Sequence, residues 1–382
     1  MHTSNLVFDV IIIGAGLHGS SAALHLAKKN LKVILIDQGS GGRNSSKVNA
    51  GGLRQLNRLQ PEIPLAVEAI KMWKNIKELV GDDCGTAFDG QVCVAENSMD
   101  LKKLHDREIR LRELGYRHEE LIDAHELKKL IPSISERCIG GLICRSDGFG
   151  SPFRSTFAFQ NTAEKLGVYF RRNSGVNRIR KNDSIWYVTT DSGENYQAPI
   201  VINSAGAWGD QIALMIGEEL PISAEAPLMM VTAPIEFFLK PVVIGASRKF
   251  SFKQAPNGTV LIGGGYRGKL NRATGETRVD FDQLRLSAQT VADLFPHMKK
   301  VPIVRCWAGI EGLTPDRIPV LGESGIARGF YHSFGYSSHG YLLAPLTGRL
   351  LSELIVDNKP SLSIEEFSAA RFNPPVQSPC DR

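Results

Sequence analysis

Several protein classes are disfavoured by what this chain does not contain. Its six cysteines (Cys84, Cys93, Cys138, Cys144, Cys306 and Cys380) are scattered and form no CxxC pair. That spacing argues against a zinc site or an iron–sulfur cluster built from this chain alone. It fits reduced thiols better than a disulfide scaffold. No apolar run approaches the roughly 20 residues needed to span a bilayer, so no transmembrane segment is expected. The start, MHTSNLVFDV, lacks a basic n-region and carries Asp9, and its apolar run ends in GAG; no signal peptide is expected. Charge is nearly balanced, at +5 overall, too little to imply a nucleic-acid surface. Internal repeats and low-complexity tracts are absent. These absences lead to the expectation of a cytoplasmic protein with no bound metal and no nucleic-acid partner.

What is present is ordinary in bulk and specific in detail. Hydrophobic residues make up 42% and charged residues 22%, as in a soluble globular protein, and 382 residues suggest roughly two to three domain-sized units. The opening FDVIIIGAGLHGSSAALHLAKKNLKVILID reads as a βαβ unit. Residues 10–13 form a continuous apolar run suited to a strand buried on both faces. Residues 20–30 read as a short helix. Residues 32–37 read as a second strand, parallel to the first by right-handed crossover. A long Gly-, Ser- and Asn-rich loop follows over 38–64, too long for a mere connector. The spacing of Ala66, Ala69, Ile70, Trp73, Ile76 and Val80 predicts a helix over 65–80 stopped by Gly81. Asp123 and Glu126 form a capping box. A helix is predicted over 155–165, a hairpin before a buried strand at 200–202, a helix near 281–294, and a strand–glycine loop–helix ending. The fold class is therefore α/β. A discontinuous Rossmann-like domain is built from the start, middle and end, and a β-rich α+β domain from two long insertions.

Gly14, Gly16 and Gly19 match G-x-G-x-x-G. They serve, in order, a tight turn, close approach of a pyrophosphate, and helix–strand packing. The helix start beyond them, with Leu17 and His18, offers free N–H groups and positive dipole to phosphates. Asp37, beside Gln38, sits where a carboxylate accepts from ribose hydroxyls. His18 fills a variable slot and is expected to be solvated. The motif alone does not separate NAD from FAD. NAD enzymes usually continue with further βα units. Here the chain enters a polar loop with Arg43, Ser45, Ser46, Asn49, Ala50, Gly51 and Gly52. It later reaches a small-residue turn after a buried strand, with Ser204, Ala205, Gly206 and Trp208. Finally comes a glycine loop at a helix start, with Gly335, Ser338, His339, Gly340, Tyr341 and Leu342. A flavin needs all of these, because its ring lies away from its ADP half and takes donors from backbone amides at a helix start.

The stretches DVIIIGAGLHGSSAALHLA, GRNSSKVNAGGLRQ, IVINSAGAWGDQIA, VLIGGG, WAGIEGLTPDRIPVLG and SFGYSSHGYLLAPLTGRLLSELI resemble, in order and spacing, the FAD-dependent D-amino-acid oxidase-like superfamily, which includes glycine and sarcosine oxidases. The likeness runs over roughly residues 8–356. AGGLRQLNRLQPEIPLAVEAIKMW and GLICRSDGFGSPFRSTFAF are most similar to flavin-bearing β-type subunits of sarcosine, proline, hydroxyproline, opine and cyanide-forming glycine dehydrogenases. The resemblance implies an FAD domain over 1–85, 145–215 and 306–365, a substrate domain over 86–144 and 216–305, and a tail over 366–382. It implies oxidation of a small amino or imino acid, with hydride passing from the amine-bearing carbon to flavin N5 and the imine then hydrolysing.

The family's residues carry over with departures. Arg54 matches an arginine near the reacting face of the flavin. Arg58 is a second candidate, for the substrate carboxylate, since guanidinium binds it bidentately. Val176 matches a position whose backbone meets adenine. The cysteine that attaches flavin in sarcosine oxidases corresponds to Gly309, and no histidine lies between His25 and His105, so non-covalent FAD is expected. A lysine that promotes oxygen reaction corresponds to Leu261, which favours a dehydrogenase. The arginine of glycine oxidases in WAG-x-R is Glu311 here. It is a candidate for gripping a substrate cation, or else a structural glutamate bonded to backbone or to an arginine such as Arg305. Trp307 is expected to pack. His339 is expected mostly to donate its backbone N–H to flavin, with a catalytic base role as the alternative. The basic run over 170–182 is expected to be a solvated face. The expected electron acceptor is a partner subunit or quinone. The alternatives are an oxidase producing H2O2, a flavin-carrying subunit active only with a partner, and a 2-hydroxy-acid dehydrogenase.

Overall fold

In a computed structural model that describes residues 6–372, a six-stranded sheet forms the first body. Its order is Val320–Glu323, Phe330–Phe334, Ile200–Asn203, Val10–Ile13, Val33–Ile36, Tyr169–Arg171. All neighbours are parallel except the first pair. Strands from the start, middle and end of the chain thus lie side by side, as the sequence pattern predicts. Val10–Ile13 and Val33–Ile36 are almost fully buried, because helices cover one face and a four-stranded sheet the other. On the helical face, Leu17–Lys28 packs against Gly340–Asp357 and Pro152–Lys165.

The second body is an eight-stranded sheet, ordered Ile303–Ala308, Leu228–Thr232, Val260–Gly263, Ser251–Gln254, Val242–Gly245, Gln91–Ala95, Gly140–Cys144, Glu120–Asp123. Neighbours are antiparallel except Val242–Gly245 beside Gln91–Ala95. One face carries Val92, Val94, Ile143, Val243, Phe252 and Ile262 into a core under the helix Phe281–Leu294. Strand alternation turns the residues between them the other way, toward the first body.

Three local expectations need correction. The helix predicted over 65–80 is two, Ile63–Lys74 and Ile76–Val80, broken at Asn75, where φ is −109° and ψ 21°. Pro64 opens the first of them, where its missing N–H is harmless. Gly81 ends the second in the left-handed region. The helix predicted from 155 begins at Pro152 behind a Ser151 cap. The stretch 366–372, assigned to a tail, is partly packed: Phe367 is 1% exposed and Arg371 bonds Asp316 and the Ile318 carbonyl. Cys380 and positions 373–382 lie outside the described residues, as do positions 1–5. No helix among the described residues is long and apolar enough to cross a membrane.

Candidate functional site

The four inner strands of the six-stranded sheet run in one direction and end at one edge, at Ile13, Ile36, Asn203 and Phe334. The residues that follow, Gly14, Asp37, Ser204 and Gly335, line a cavity of about 660 Å³. Ligands of open α/β sheets bind at this edge, where loops leave the carboxyl ends of strands. The roof comes from the outward face of the eight-stranded sheet, including Gln91, Val242, Ile244, Ser251, Lys253 and Met229.

The floor fits a dinucleotide. Gly14 has φ +102°, and a Cβ there would lie 2.3 Å from the Ser204 carbonyl oxygen. A Cβ on Gly19 would lie 2.0 Å from the Gly14 carbonyl oxygen, so both positions admit only glycine. The Asp37 carboxylate accepts from Ala15 N at 2.8 Å and Gly39 N at 2.7 Å; each oxygen keeps a lone pair for a ribose hydroxyl. The Ser204 hydroxyl is buried without a hydrogen-bond partner and stands in the wall, as a group awaiting a ligand does. Gln38, Arg43, Ser45, Val176, Ala205, Gly206 and Trp208 line the same wall.

The polar loop holds its shape through its own side chains. Ser46 Oγ accepts from Leu17 N at 2.9 Å, and its carbonyl takes the Thr156 hydroxyl. Asn49 accepts from Gly51 N and donates to the carbonyls of Ser45 and Ser46. Gly52 pairs with Phe149 in a two-stranded ribbon, and Ala50 and Gly51 line the cavity beside it. Gly309, Ser338, Gly340 and Tyr341 also reach the wall. Ser337 and Ser338 have φ of +50° and +70°, two successive left-handed residues just before the helix Gly340–Asp357.

Three expected residues stand off the wall. Gly19 packs helix to strand. Leu342 is fully buried, and its carbonyl accepts from Trp73 Nε1 at 2.8 Å. The His339 N–H is spent on the Tyr336 carbonyl at 2.8 Å, so it does not supply the backbone donor expected of it. Its ring lies 2.8 Å from Glu62 Oε2, and burial holds it down to about 4, neutral at physiological pH. His18 is half-buried and lines the cavity beside Gly16 and Leu17 rather than facing open solvent. It stacks on Tyr336 at 3.6 Å and meets the Thr347 hydroxyl at 2.9 Å, and burial lowers its pKa to about 3.

Arg54 and Arg58 both line the cavity, yet both are tied to the protein. Arg54 Nη1 donates to the carbonyls of Leu56 and Asn57. Arg58 donates to the carbonyls of Arg54 and His339, and its Nη1 lies 3.8 Å from Glu62. Burial and the Arg54 charge bring Arg58 down to about 10, still protonated. Burial pushes the Glu62 carboxyl up, but His339, Arg58 and Arg54 outweigh it and leave it below the usual range. Asp147 pins the same loop, accepting from Gln55 N at 2.8 Å and Leu56 N at 2.9 Å.

Glu311 lines the cavity and accepts from Ser338 Oγ at 2.7 Å; burial raises its pKa. Arg305 does not bond it but lies over Trp307, whose Nε1 donates to the Val48 carbonyl. In the basic run, Arg171 pairs with Glu194 and Arg172 with Glu164. Leu261 is where the resemblance loses a lysine, but Lys253 lies directly across from it on the next strand, facing the cavity. Sequence reasoning missed Glu62, Asp147 and Lys253. The alternation in SFKQ, with Phe252 inward, was the available signal for the last.

The fold and floor define a flavin-type dinucleotide-binding enzyme. The chain belongs to the DAO family of FAD-dependent oxidoreductases, whose model matches residues 9–354. It is 26% identical to glycine oxidase of Geobacillus kaustophilus, covering 95% of this chain and 97% of that protein. It is 26% identical to a hydrogen cyanide synthase subunit of Pseudomonas protegens, covering 96% of each. The solved L-proline dehydrogenase of P. horikoshii superposes with a TM-score of 0.89 at 25% identity, covering 97% of this chain and 98% of that one.

Proposed function

We propose that this chain is the catalytic, FAD-bearing unit of an amino- or imino-acid dehydrogenase. The carrying observation is a cavity with a dinucleotide floor, lined also by Glu311 and, from the roof, by Lys253. Bound FAD would supply a two-electron acceptor for hydride from the amine-bearing carbon. The turns at Gly14, Ser204 and Gly335 hold the cofactor, Arg54 faces the region of the ring, and the enclosing sheets keep water from the reacting carbon. The division into an FAD domain (1–85, 145–215, 306–365) and a substrate domain (86–144, 216–305) is part of this reading and is supported by the two sheets, although Ile303–Ala308 pairs into the second. Non-covalent FAD is supported by Gly309, which offers no nucleophile. A partner subunit or quinone as electron acceptor is supported by relatives named as subunits, the hydrogen cyanide synthase subunit and sarcosine oxidase subunit beta of Rhodobacter capsulatus. The cytoplasmic location rests on scattered cysteines, of which Cys84, Cys93, Cys138 and Cys144 are buried with thiols pushed up by burial.

The test is anaerobic. The purified flavoprotein is titrated with proline, both hydroxyproline epimers, sarcosine, glycine, D-alanine and an opine while the oxidised flavin band is followed. Bleaching by one of them, with slow peroxide formation in air, is the expected result. Bound FAD that none of them bleaches would refute an amino-acid dehydrogenase for this panel, and fast peroxide formation would favour the oxidase that the glycine oxidase relative suggests.

A further inference from the structure

Lys253 sits in the roof of the cavity, 7% exposed, with its ammonium 4.3 Å from the centre of the Phe149 ring. Among the described residues nothing offers it a carboxylate or a carbonyl: burial is the sole influence on its titration and lowers it to about 7. A lysine in that state is costly to keep unless something completes it. The other buried or half-buried cations of the wall each have partners within the protein. Arg54 and Arg58 donate to backbone carbonyls, Arg248 pairs with Glu96 and Asp293, and Arg267 pairs with Glu225. Strand register adds a second observation. Lys253 stands opposite Leu261, and the same side of the sheet carries Gln91, 2% exposed, whose Oε1 has no hydrogen-bond partner and which also lines the cavity. The roof thus presents unspent donors and an unspent acceptor to whatever enters.

From this geometry we propose that Lys253, rather than Arg54 or Arg58, receives the carboxylate of the substrate. This rests on the amino- or imino-acid reading above. Entry of a carboxylate restores the charged form of the amine, which the Phe149 face also favours. Lys253 then acts by binding and orienting, so it determines which acids are accepted.

The experiment uses the holoenzyme and two planar ligands that differ in charge, pyrrole-2-carboxylate and pyrrole-2-carboxamide. Binding is read from the perturbation of the visible flavin spectrum between pH 6 and 9. In the wild type the carboxylate binds more tightly than the amide, and its affinity falls as pH rises and the amine deprotonates. Lys253→Met should weaken the carboxylate about 10- to 100-fold, leave the amide unchanged and flatten the pH dependence. Lys253→Arg should restore part of the preference. An unchanged carboxylate-to-amide ratio in Lys253→Met with FAD still bound would overturn the proposal. So would a variant that keeps its carboxylate affinity but, once photoreduced, reoxidises more slowly in air, since the ammonium would then serve oxygen instead. Failure of every amino acid to bleach the flavin would refute the dehydrogenase reading without touching this titration, so the two fail separately.

Discussion

Glu62 offers a sharp test of whether the two arginines of the loop are structural. Its carboxylate is fully buried, 2.8 Å from His339 Nδ1 and 3.8 Å from Arg58 Nη1, with Arg54 also contributing to its titration. Glu62→Gln keeps the volume and removes the charge. The two guanidinium groups would then face a neutral histidine and an amide, and the other carboxylate that acts on them, Asp147, is already taken up by the Gln55 and Leu56 N–H groups. Breaking a buried pair in this way costs about 3–5 kcal/mol, because an uncompensated charge stays behind. Unfolding entropy of about 2.1 cal/mol/K per residue gives roughly 0.8 kcal/mol/K for 382 residues. The expected loss is therefore about 4–6 °C in Tm, measured by thermal melting of the flavin-loaded protein with circular dichroism as the probe. A fall under about 1 °C, or a rise, would refute the reasoning. It would mean that Arg58 does not depend on Glu62 and is available to a ligand.

Two further outcomes follow from the same geometry. Gly14→Ala places a methyl group against the Ser204 carbonyl at a backbone angle that L residues avoid; FAD retention through purification, read as the ratio of flavin to protein absorbance, should fall about tenfold or more, and full retention would contradict the assignment of the floor. His18, His25 and His339 have folded pKa values of about 3, 4 and 4, depressed mainly by burial from 6.5. Between those values and 6.5 the unfolded chain binds protons that the folded chain refuses, so stability is present above 6.5 and is lost as pH falls, by up to about 1.4 kcal/mol per pH unit for each histidine. Melting temperatures at pH 7.5, 6 and 5 should decline in that order, and a flat or rising series would count against the burial of these rings.

The cofactor half of the fold was legible because its requirements are local. A strand too apolar to have a wet face, a glycine turn, a helix and an acid follow one another within residues 8–37, and each is dictated by backbone geometry at that point. The discontinuous assembly could be read as well, since residues 200–202 form an apolar strand and both Ile200–Asn203 and Phe330–Phe334 run into glycine-containing turns. The break at Asn75 was hidden because apolar spacing continues across it. The roles of Arg58 and His339 were hidden for another reason. Both side chains face Glu62, and Glu62 is brought beside His339 by the packing of Ile63–Lys74 on Gly340–Asp357, far apart in sequence. His18 was expected to be solvated because it fills a variable slot of the glycine motif, whereas the ring it stacks on, Tyr336, arrives from the other end of the chain.

The roof shows why the substrate half resists the same reading. Cofactor recognition here uses backbone atoms, so it leaves glycines at fixed sequence positions. Substrate recognition uses side chains standing on a sheet, and a sheet offers equivalent places on adjacent strands about 5 Å apart. A charge moved from one strand to its neighbour stays in the same row of the cavity while vanishing from its column in a sequence comparison. Leu261 and Lys253 occupy two such places: eight residues apart in the chain, opposite one another in the ladder, and on one face. Reading Leu261 alone leaves the roof apolar there. Reading the row places Lys253, which has no carboxylate partner among the described residues, against the ribbon of Gly52 and Phe149. The physical requirement is a charge at a point in space, and strand register decides which residue meets it. A variant series at Lys253 therefore tests the chemistry of this roof more directly than one at any position selected by sequence correspondence.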